Sequence, residues 1–340
     1  MLFRSLSVLA VACAGFAPSG LALAQAQGAE ASTVGDPLRI WLLRINEAAR
    51  YRNFQGTFVV TGGGAVASAR IAHYCDGGSQ FEHIESLDGR ARHVYRHNDL
   101  VHTLWPGKRA ALVERRELLM SFPALFRSGD DRISDYYEIF KQEDDRVAGY
   151  EAKVLSIRSK DEYRFGFRLW AEQATGLLLR ADVLGDRNQV IETSAFSDLT
   201  IGVRPQLETV LGPMQRLDGY RVVRPVLTPT SLESEGWVLK VGAPGFRQVS
   251  CVKRPMEPEP RSDAPAAAEQ MLQAIFSDGL THVSVFIEPF NPKRHGRPLL
   301  ASVGATQTLT RRQGDWWLTV VGDVPVATLN RFAQGLERRK

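Results

Sequence analysis

Histidines are concentrated in one short part of this 340-residue chain, between residues 68 and 107. Five of the seven histidines lie there, and His73, His83 and His93 recur at intervals of ten residues. Imidazole nitrogens are common metal ligands and general bases, so this spacing raises the question of a metal centre or a catalytic site. Whether these side chains can act together depends on the elements that carry them.

Alternating apolar and polar residues predict that the histidines lie on β-strands joined by tight turns. Two-residue turns at Asp88-Gly89 and Asn98-Asp99, with a four-residue loop at 76–79, give a register in which one row crosses four strands. The row contains His73, Glu82, Tyr95 and His102. Because neighbouring strands lie about 4.8 Å apart, His73 and His102 are roughly 14 Å from each other, too far to share one zinc ion. A different register would change these distances, so a metal-dependent enzyme stays as the minor alternative.

Sequence motifs of other catalytic sites are missing. The glycines at 62–64 follow a strand, but they lack the G-x-G-x-x-G spacing and a following helix, which favours a hairpin turn. The sequence contains no P-loop, no G-x-S-x-G elbow and no H-E-x-x-H motif. We therefore predict a binding protein with no catalytic residues, no metal and no cofactor.

The first 26 residues have the composition of a secretory signal peptide. Arg4 gives the positive start, residues 6–16 are apolar, and "ALA" or "AQA" provides a small-residue cleavage site before residue 27. The apolar run is shorter than the roughly 20 residues that span a bilayer. We therefore expect an exported protein, in which Cys75 and Cys251 remain and either pair or stay as two buried thiols.

The remaining sequence predicts a β-rich α+β protein with two domains. A helix beginning at Pro37 precedes many short strands, which suggest one large curved antiparallel sheet over residues 32–203. Prolines, glycines and polar residues predict a linker over 204–232. A small α+β domain follows over 233–340, with a hairpin turning at Asp278-Gly279 and a closing helix.

The hairpin register of the small domain gives it one apolar face. That face contains Leu272, Ala274, Phe276, Val283, Val285 and Ile287. The closing helix turns four apolar residues inward: Val326, Leu329, Phe332 and Leu336. We expect these two apolar surfaces to form the domain's core.

Charge is divided unevenly between the two halves. Residues 27–218 contain 25 basic and 27 acidic residues, whereas residues 219–340 contain 16 and 11. A basic second half favours an acidic protein or an anionic lipid head group as partner, although ordinary surface scatter accounts for it equally well. Nucleic acid is not expected, because the chain is exported and its larger domain is slightly acidic.

Apolar residues of the first domain provide a candidate cavity under the curved sheet. A helical lid over such a sheet suits a lipid or an acyl chain, although packing in a dry core is the simpler role for any one residue. The predicted lining residues are Phe58, Trp105, Leu118, Phe122, Leu125, Phe126, Phe165, Phe167 and Trp170.

Several stretches resemble the MucB/RseB family of periplasmic regulators of the envelope-stress sigma factor. They are "YRNFQGTFVV", "RIAHYCDGGSQFEHIESLDG", "RHNDLVHTLWPG", "FSDGLTHVSVFIEP" and "VVGDVPVATLNRFAQGLE". They occur in the family's order over essentially the whole mature chain. The resemblance implies that the first domain is an unclosed β-barrel covered by helices, similar to the lipoprotein carriers LolA and LolB.

The resemblance also implies a function without catalysis, in transcription regulation during envelope stress. The protein would bind the periplasmic domain of a transmembrane anti-sigma factor and shield it from regulated proteolysis. Lipopolysaccharide or another acyl-chain ligand would then release it. The residues we select as candidates for partner binding are Trp237, Phe246, Phe286, Phe290, Arg311, Arg312, Trp316 and Trp317.

A lipid or lipoprotein carrier is the main alternative, suggested by the first domain alone. The second domain and the linker count against it. The sequence does not fix the identity of the lipid, the face that meets the partner, or whether a homo-oligomer forms.

Overall fold

The computed structural model describes residues 37–115, 133–256 and 270–339. Helices are few and short in these ranges, and a 3₁₀ turn occupies Pro106–Lys108. The helices are α1 (Pro37–Tyr51), α2 (Ile133–Tyr136), α3 (Glu208–Gln215) and α4 (Val326–Gly335). Within the described ranges, no helix is both long and apolar enough to cross a bilayer. The predicted signal peptide lies outside these ranges.

Thirteen strands form the large sheet of the first unit. They are β1 (Phe54–Gly62), β2 (Ala65–Asp76), β3 (Ser79–Ser86), β4 (His93–His97), β5 (Leu100–Trp105), β6 (Ala110–Arg115), β7 (Tyr137–Lys141), β8 (Asp145–Val147), β9 (Tyr150–Ser159), β10 (Gly166–Glu172), β11 (Leu178–Leu184), β12 (Val190–Ile201) and β13 (Arg221–Val223). The order is β13-β6-β5-β4-β3-β2-β1-β12-β11-β10-β9-β7, and β8 also pairs with β9. Among the described strands, β13 and β7 are the two ends of the sheet and do not pair with each other. The predicted unclosed sheet is therefore confirmed.

Helix α1 covers one face of this sheet. Its residues Leu42, Ile45 and Ala48 recur at helical spacing and are almost fully buried. They pack against apolar side chains that alternate along the strands, such as Ile71 and Leu169. The predicted N-terminal helix is therefore the element that closes this face.

The segment predicted as a linker is more ordered than its composition suggests. Its helix α3 buries Val210 and Met214 against Tyr74, Phe81 and Tyr95 on the sheet face opposite to α1. Strand β13 follows and pairs in parallel with β6. The prolines and glycines of this segment predicted irregular structure. Two buried residues at i and i+4 are nevertheless enough to hold a short helix against a sheet.

The second unit contains a seven-stranded sheet and a separate pair of short strands. Its strands are β14 (Thr228–Pro229), β15 (Trp237–Leu239), β16 (Arg247–Pro255), β17 (Gln270–Ser277), β18 (His282–Pro289), β19 (Leu299–Val303), β20 (Thr306–Gln313), β21 (Trp316–Gly322) and β22 (Leu336–Arg338). The sheet has the order β14-β16-β17-β18-β21-β20-β19, and β15 pairs with β22.

The predicted apolar face of the β17–β18 hairpin is confirmed. Phe276 pairs with Val283 and Ala274 with Val285, and α4 covers this face with Leu329 and Phe332. The connecting loop has four residues, Asp278 to Thr281, rather than two. That change moves the register by two residues, which leaves every side chain on its predicted face.

The two units meet at the tip of the same hairpin. Leu280 is 5% exposed and belongs to the apolar cluster of the first unit, with Leu42 and Ile45 of α1. Beside it, the Asp278 carboxylate accepts a hydrogen bond of 2.9 Å from the Arg164 guanidinium, and both side chains are fully buried. The small unit thus contributes one residue to the core of the large one.

A second contact joins two hairpin turns. A β-carbon at Gly63 would lie 2.6 Å from the backbone nitrogen of Gly304, so the turns approach more closely than a side chain permits. The Ala305 N–H also donates to the Glu192 carboxylate at 3.0 Å. The glycines at 62–64 therefore form a hairpin turn, as predicted, and also allow the small unit to pack against it.

Candidate binding surfaces

The histidines lie on strands, but their predicted row is wrong at one junction. Strand β3 pairs with β4 so that Glu82 lies opposite Arg96, and His83 lies opposite Tyr95. The connection is longer than the predicted two-residue turn at Asp88-Gly89, and the Asp88 carboxylate accepts hydrogen bonds from the Ser68 N–H and hydroxyl. Because this changes the register by one residue, the β4 and β5 side chains exchange faces.

The corrected row on the α1 face is a buried ionic network. The Glu82 carboxylate lies 3.1 Å from His73 Nδ1 and 3.3 Å from Arg96 Nε. Burial opposes ionisation of Glu82, but the hydrogen bond with His73 and the charge of Arg96 outweigh it, so the pKa of Glu82 is lowered. These contacts balance charge within the sheet, which favours a structural role over a catalytic one.

The opposite face carries the other histidines. His83 Nε2 lies 3.3 Å from His93 Nδ1, and the His83 ring stacks on Tyr95 with centroids 4.4 Å apart. Burial, followed by the nearby His93, lowers the pKa of His83 to about 4. Among the described residues, no group of three or more His, Cys, Asp or Glu side chains is placed to hold a metal.

The predicted lipid-lining residues occupy different environments. Phe58 and Trp105 lie on the same sheet face as His73 and Arg96, as the alternation along their strands requires. Phe167 packs in the apolar cluster beneath α1. Four others, Leu118, Phe122, Leu125 and Phe126, lie outside the described residues.

Trp170 and Phe165 differ in position from Phe58, Trp105 and Phe167. Trp170 is three residues after Phe167 on β10 and so projects from the opposite face, where its indole N–H donates to Asp145 at 2.9 Å. Phe165 precedes β10 and is only half-buried. The lining set as a whole stays a prediction, although Phe58, Trp105 and Phe167 share one face of the sheet.

The predicted partner-binding residues separate into two faces of the small sheet. Trp237 packs against the inner face, which is the face towards α4. It is 1% exposed, and its ring meets that of Trp316 edge-on with centroids 5.7 Å apart. Phe246 packs edge-on against Phe332 of α4 at 5.8 Å, and Arg311 donates to the Ala333 carbonyl at 3.4 Å. These side chains build the core of the second unit instead of an exposed surface.

The outer face brings the other four together: Phe286, Phe290, Arg312 and Trp317. The Arg312 guanidinium lies 4.0 Å from the centre of the Phe290 ring, and Arg312 is exposed. Arginine stacked on an aromatic ring is typical of protein-binding surfaces, where the ring supplies apolar contact and the guanidinium receives a carboxylate. We call these four residues the outer-face cluster.

His295 completes the outer-face cluster, and sequence reasoning missed it. Its ring stacks on Trp317 with centroids 4.9 Å apart and lies 5.6 Å from Phe290, while its Nε2 is 3.4 Å from the Glu288 carboxylate. The available signal was its position in the basic stretch that follows β18, separate from the five histidines of residues 68–107.

The two cysteines are both free. Cys251 is buried on the inner face of the small sheet, opposite Ala274, whereas Cys75 is half-buried on β2 of the large sheet. Burial, with a smaller effect of nearby glutamates, raises the pKa of the Cys251 thiol to about 11. They therefore occur as two separate thiols, one of the two states that the sequence left open.

Comparison with protein families matches almost all of the described chain. The model of the MucB/RseB N-terminal domain matches residues 37–214, and the model of the MucB/RseB C-terminal domain matches residues 231–337. The first match contains β1 to β12 and nearly all of α3, and the second contains β15 to β21 and α4.

Individual relatives match over nearly their whole lengths. The sigma factor AlgU regulatory protein MucB of Pseudomonas aeruginosa is 29% identical over 308 residues, which are 86% of this chain and 88% of the relative. The sigma-E factor regulatory protein RseB of Escherichia coli is 22% identical and covers 87% of this chain and 89% of its own.

Solved structures agree with the sequence comparison. A crystal structure of MucB in complex with MucA(peri) matches with a TM-score of 0.65 and 25% identity, over 89% of this chain and 99% of that one. A complex of Pseudomonas aeruginosa MucA and MucB matches with a TM-score of 0.67 and 25% identity, over 90% and 100% of the two chains. Both domains of the present chain therefore have counterparts in one solved molecule.

Proposed function

The chain belongs to the MucB/RseB family, and on that premise we propose that it binds the periplasmic segment of a transmembrane anti-sigma factor and so regulates a sigma factor. Its relatives are named sigma factor regulatory proteins, and MucB has been solved with MucA(peri). The observation that carries the proposal is the match of both domains to that complexed MucB. Its place of action is then the periplasm, where a signal peptide over residues 1–26 would deliver it.

The outer-face cluster supports this proposal physically. On one side of the small sheet, Arg312 combines exposed positive charge with the half-buried ring of Phe290, which packs near the buried Trp317. A partner segment with apolar and acidic side chains matches both properties. Binding would shield that segment from proteolysis by covering its backbone.

A lipid would control this complex by linkage. If lipopolysaccharide or another acyl-chain ligand prefers the unbound conformation, it weakens partner binding by the same factor by which the partner weakens lipid binding. We place the acyl chains on the α1 face of the large sheet beside Phe58 and Trp105, which are only partly buried. A lipid carrier is the second candidate, and the well-packed small unit, which a carrier does not need, counts against it.

Calorimetric titration of the mature protein with its anti-sigma factor's periplasmic segment tests the proposal. We expect saturable binding that lipopolysaccharide weakens. A protein that takes up lipid but never binds the segment would contradict the regulatory function and support a carrier.

A substitution at Phe122, one of the predicted cavity-lining residues, distinguishes the lipid response from segment binding. Phe122→Asp should reduce the effect of lipopolysaccharide at least about tenfold, because a carboxylate in an apolar site is strongly unfavourable, and should leave segment binding within about twofold. Val226→Asp, at a position 76% exposed, is the matched control and should change neither. Equal loss of both activities in Phe122→Asp would contradict a separate lipid site.

A further inference from the structure

The small sheet ends in an apolar edge strand. Strand β19 is the last strand of its sheet and, within the described ranges, pairs only with β20. Leu299, Leu300 and Val303 on it are 57%, 49% and 41% exposed. Proteins usually protect such edges with charged side chains, since an exposed apolar edge pairs readily with another strand. The sequence of β19, LLASV, contains no charge.

The hairpin geometry defines which backbone groups face the free edge. Val303 pairs with Thr306 across a two-residue turn, and alternate residues of β19 then bond to β20. The Leu299 N–H donates to the Thr310 hydroxyl at 3.0 Å, which places Leu299 among the residues that face β20. The N–H and C=O groups of Leu300 and Ser302 therefore point away from the sheet and offer one donor and one acceptor each.

Positive charge gathers at one end of this edge. Residues 289–314 contain five lysines and arginines and neither aspartate nor glutamate. Arg297 lies just before β19, and Arg312 lies on β20 beyond the residue that pairs with Leu299. Both are exposed, at the end of the hairpin opposite the Gly304 turn. A strand added here would meet apolar side chains along β19 and a basic region at its end.

We propose that β19 is a docking strand, to which an extended acidic segment of the partner adds by backbone pairing. The partner strand would bond to Leu300 and Ser302, contact the side chains of Leu299 and Val303, and place its carboxylates near Arg297 and Arg312. Strand addition of this kind takes affinity from backbone hydrogen bonds and specificity from side chains. A second copy of this chain fits less well, because two β19 strands related by a two-fold axis pair antiparallel, which sets Arg297 and Arg312 beside the uncharged Gly304 turn of the other copy and supplies them with no carboxylate.

This inference rests on the proposed function, because the segment belongs to the anti-sigma factor's periplasmic part. The test therefore uses the mature chain and that purified segment. Amide hydrogen exchange should show new protection at Leu300 and Ser302 when the segment binds, and none at Val222, whose N–H points away from β6 on the edge strand β13. Saturated binding without protection at residues 300 and 302 would overturn the docking strand and leave the proposed function intact.

Two variants test backbone pairing and charge separately. Leu300→Pro removes one outward N–H and should weaken binding about tenfold, while Val222→Pro, which removes an outward N–H from the edge strand β13, should leave affinity within about twofold. Arg297→Glu should weaken binding several-fold at low salt and less at high salt, while Arg187→Glu, at an exposed turn of the large unit, should not. Wild-type affinity in a folded Leu300→Pro or in Arg297→Glu contradicts the inference.

Other occupants of the edge would give different results. In light scattering, Leu300→Pro should leave the molar mass of the wild-type chain unchanged, and a dimer that Leu300→Pro dissociates would overturn the proposal in favour of a second copy. If the wild-type chain does not bind the segment at all, the proposed function itself fails. The two failures are thus distinguishable.

Discussion

His83 lies between His93 and Tyr95 on the sheet face covered by α3, and its environment disfavours the charged imidazolium. Burial, followed by repulsion from His93, lowers its pKa from 6.5 to about 4. The folded state therefore leaves His83 neutral at pH values where the unfolded chain already binds a proton. A proton that binds only the unfolded state stabilises that state.

Stability should therefore decrease as pH falls from about 6.5 towards about 4. We expect the contribution of His83 to be on the order of 1–2 kcal/mol, since solvent partly screens this half-buried group. Urea unfolding of the wild type and of His83→Gln at pH 7 and pH 5 measures it. His83→Gln should lose less stability between the two pH values, and an identical loss would show that His83 does not titrate as described.

The two thiols should differ sharply in reactivity. Only the thiolate is nucleophilic, and burial with a pKa of about 11 keeps Cys251 protonated at neutral pH. Labelling of the native mature protein with a thiol reagent should modify Cys75 quickly and Cys251 only after denaturation. Cys75→Ser should then show no fast labelling, and fast labelling of that variant would contradict the buried position of Cys251.

At the level of elements, two hairpins show what sequence periodicity can and cannot predict. The β17–β18 register differs by two residues from the prediction, so Phe276 and Val283 still share the core face. The β3–β4 register differs by one, so Tyr95 leaves the row of Glu82 and Arg96 enters it. Side chains alternate with a period of two along a strand. A register error of two residues therefore leaves every side chain on its predicted face, whereas an error of one residue moves every side chain to the opposite face.

The length of the loop between β3 and β4 could not be predicted from the sequence. The Asp-Gly pair at 88–89 is a strong turn signal, but Asp88 instead accepts hydrogen bonds from Ser68 on β2. That contact joins residues 20 positions apart in sequence, beyond the reach of local turn rules. The buried Glu82–Arg96 pair was unpredictable for the same reason.

The candidate surfaces were predictable to different degrees. Aromatic and arginine content identified Phe290, Arg312 and Trp317, and strand alternation required Trp316 and Trp317 to diverge. The sequence did not reveal that both become covered, Trp316 partly by Trp237 and Arg338 on the inner face and Trp317 by Phe290 and His295 on the outer face. The edge position of β19 was also hidden, because strand order in a sheet is a tertiary property.

For the whole molecule, the contact between the two units is the main feature that local patterns did not reveal. Asp278 accepts hydrogen bonds from Arg164 at 2.9 Å and from the Tyr137 hydroxyl at 2.8 Å, all three groups being buried. Burial and the negative charge of Asp278 raise the pKa of Tyr137 well above its usual value, which keeps the phenol as a donor.

Removing the carboxylate should destabilise the junction strongly. Asp278→Ala removes the buried carboxylate from Arg164 and leaves the partly exposed Asp161 carboxylate, 2.9 Å from Arg164 Nε, as its charged partner. We therefore expect a loss of about 3 kcal/mol in the free energy of unfolding, the lower end for a broken buried ion pair. Asp315→Ala, at an exposed turn, is the control and should stay within about 0.5 kcal/mol.

A double variant checks the cause. Arg164→Met combined with Asp278→Leu should lose less stability than Asp278→Ala, because no fully buried charge remains and the Asp161 carboxylate left behind is 25% exposed. Urea unfolding followed by tryptophan fluorescence measures all three variants. A double variant less stable than Asp278→Ala would show that the ion pair is not the source of the effect.

Leu280 also has a consequence for the order of events after export. The first unit emerges from the membrane before the second, but the apolar site that Leu280 fills stays open until the β17–β18 hairpin has also crossed. During that delay an incomplete core is accessible to chaperones or to other unfolded chains. The large unit thus reaches its final packing only when the small one arrives, although it is made first.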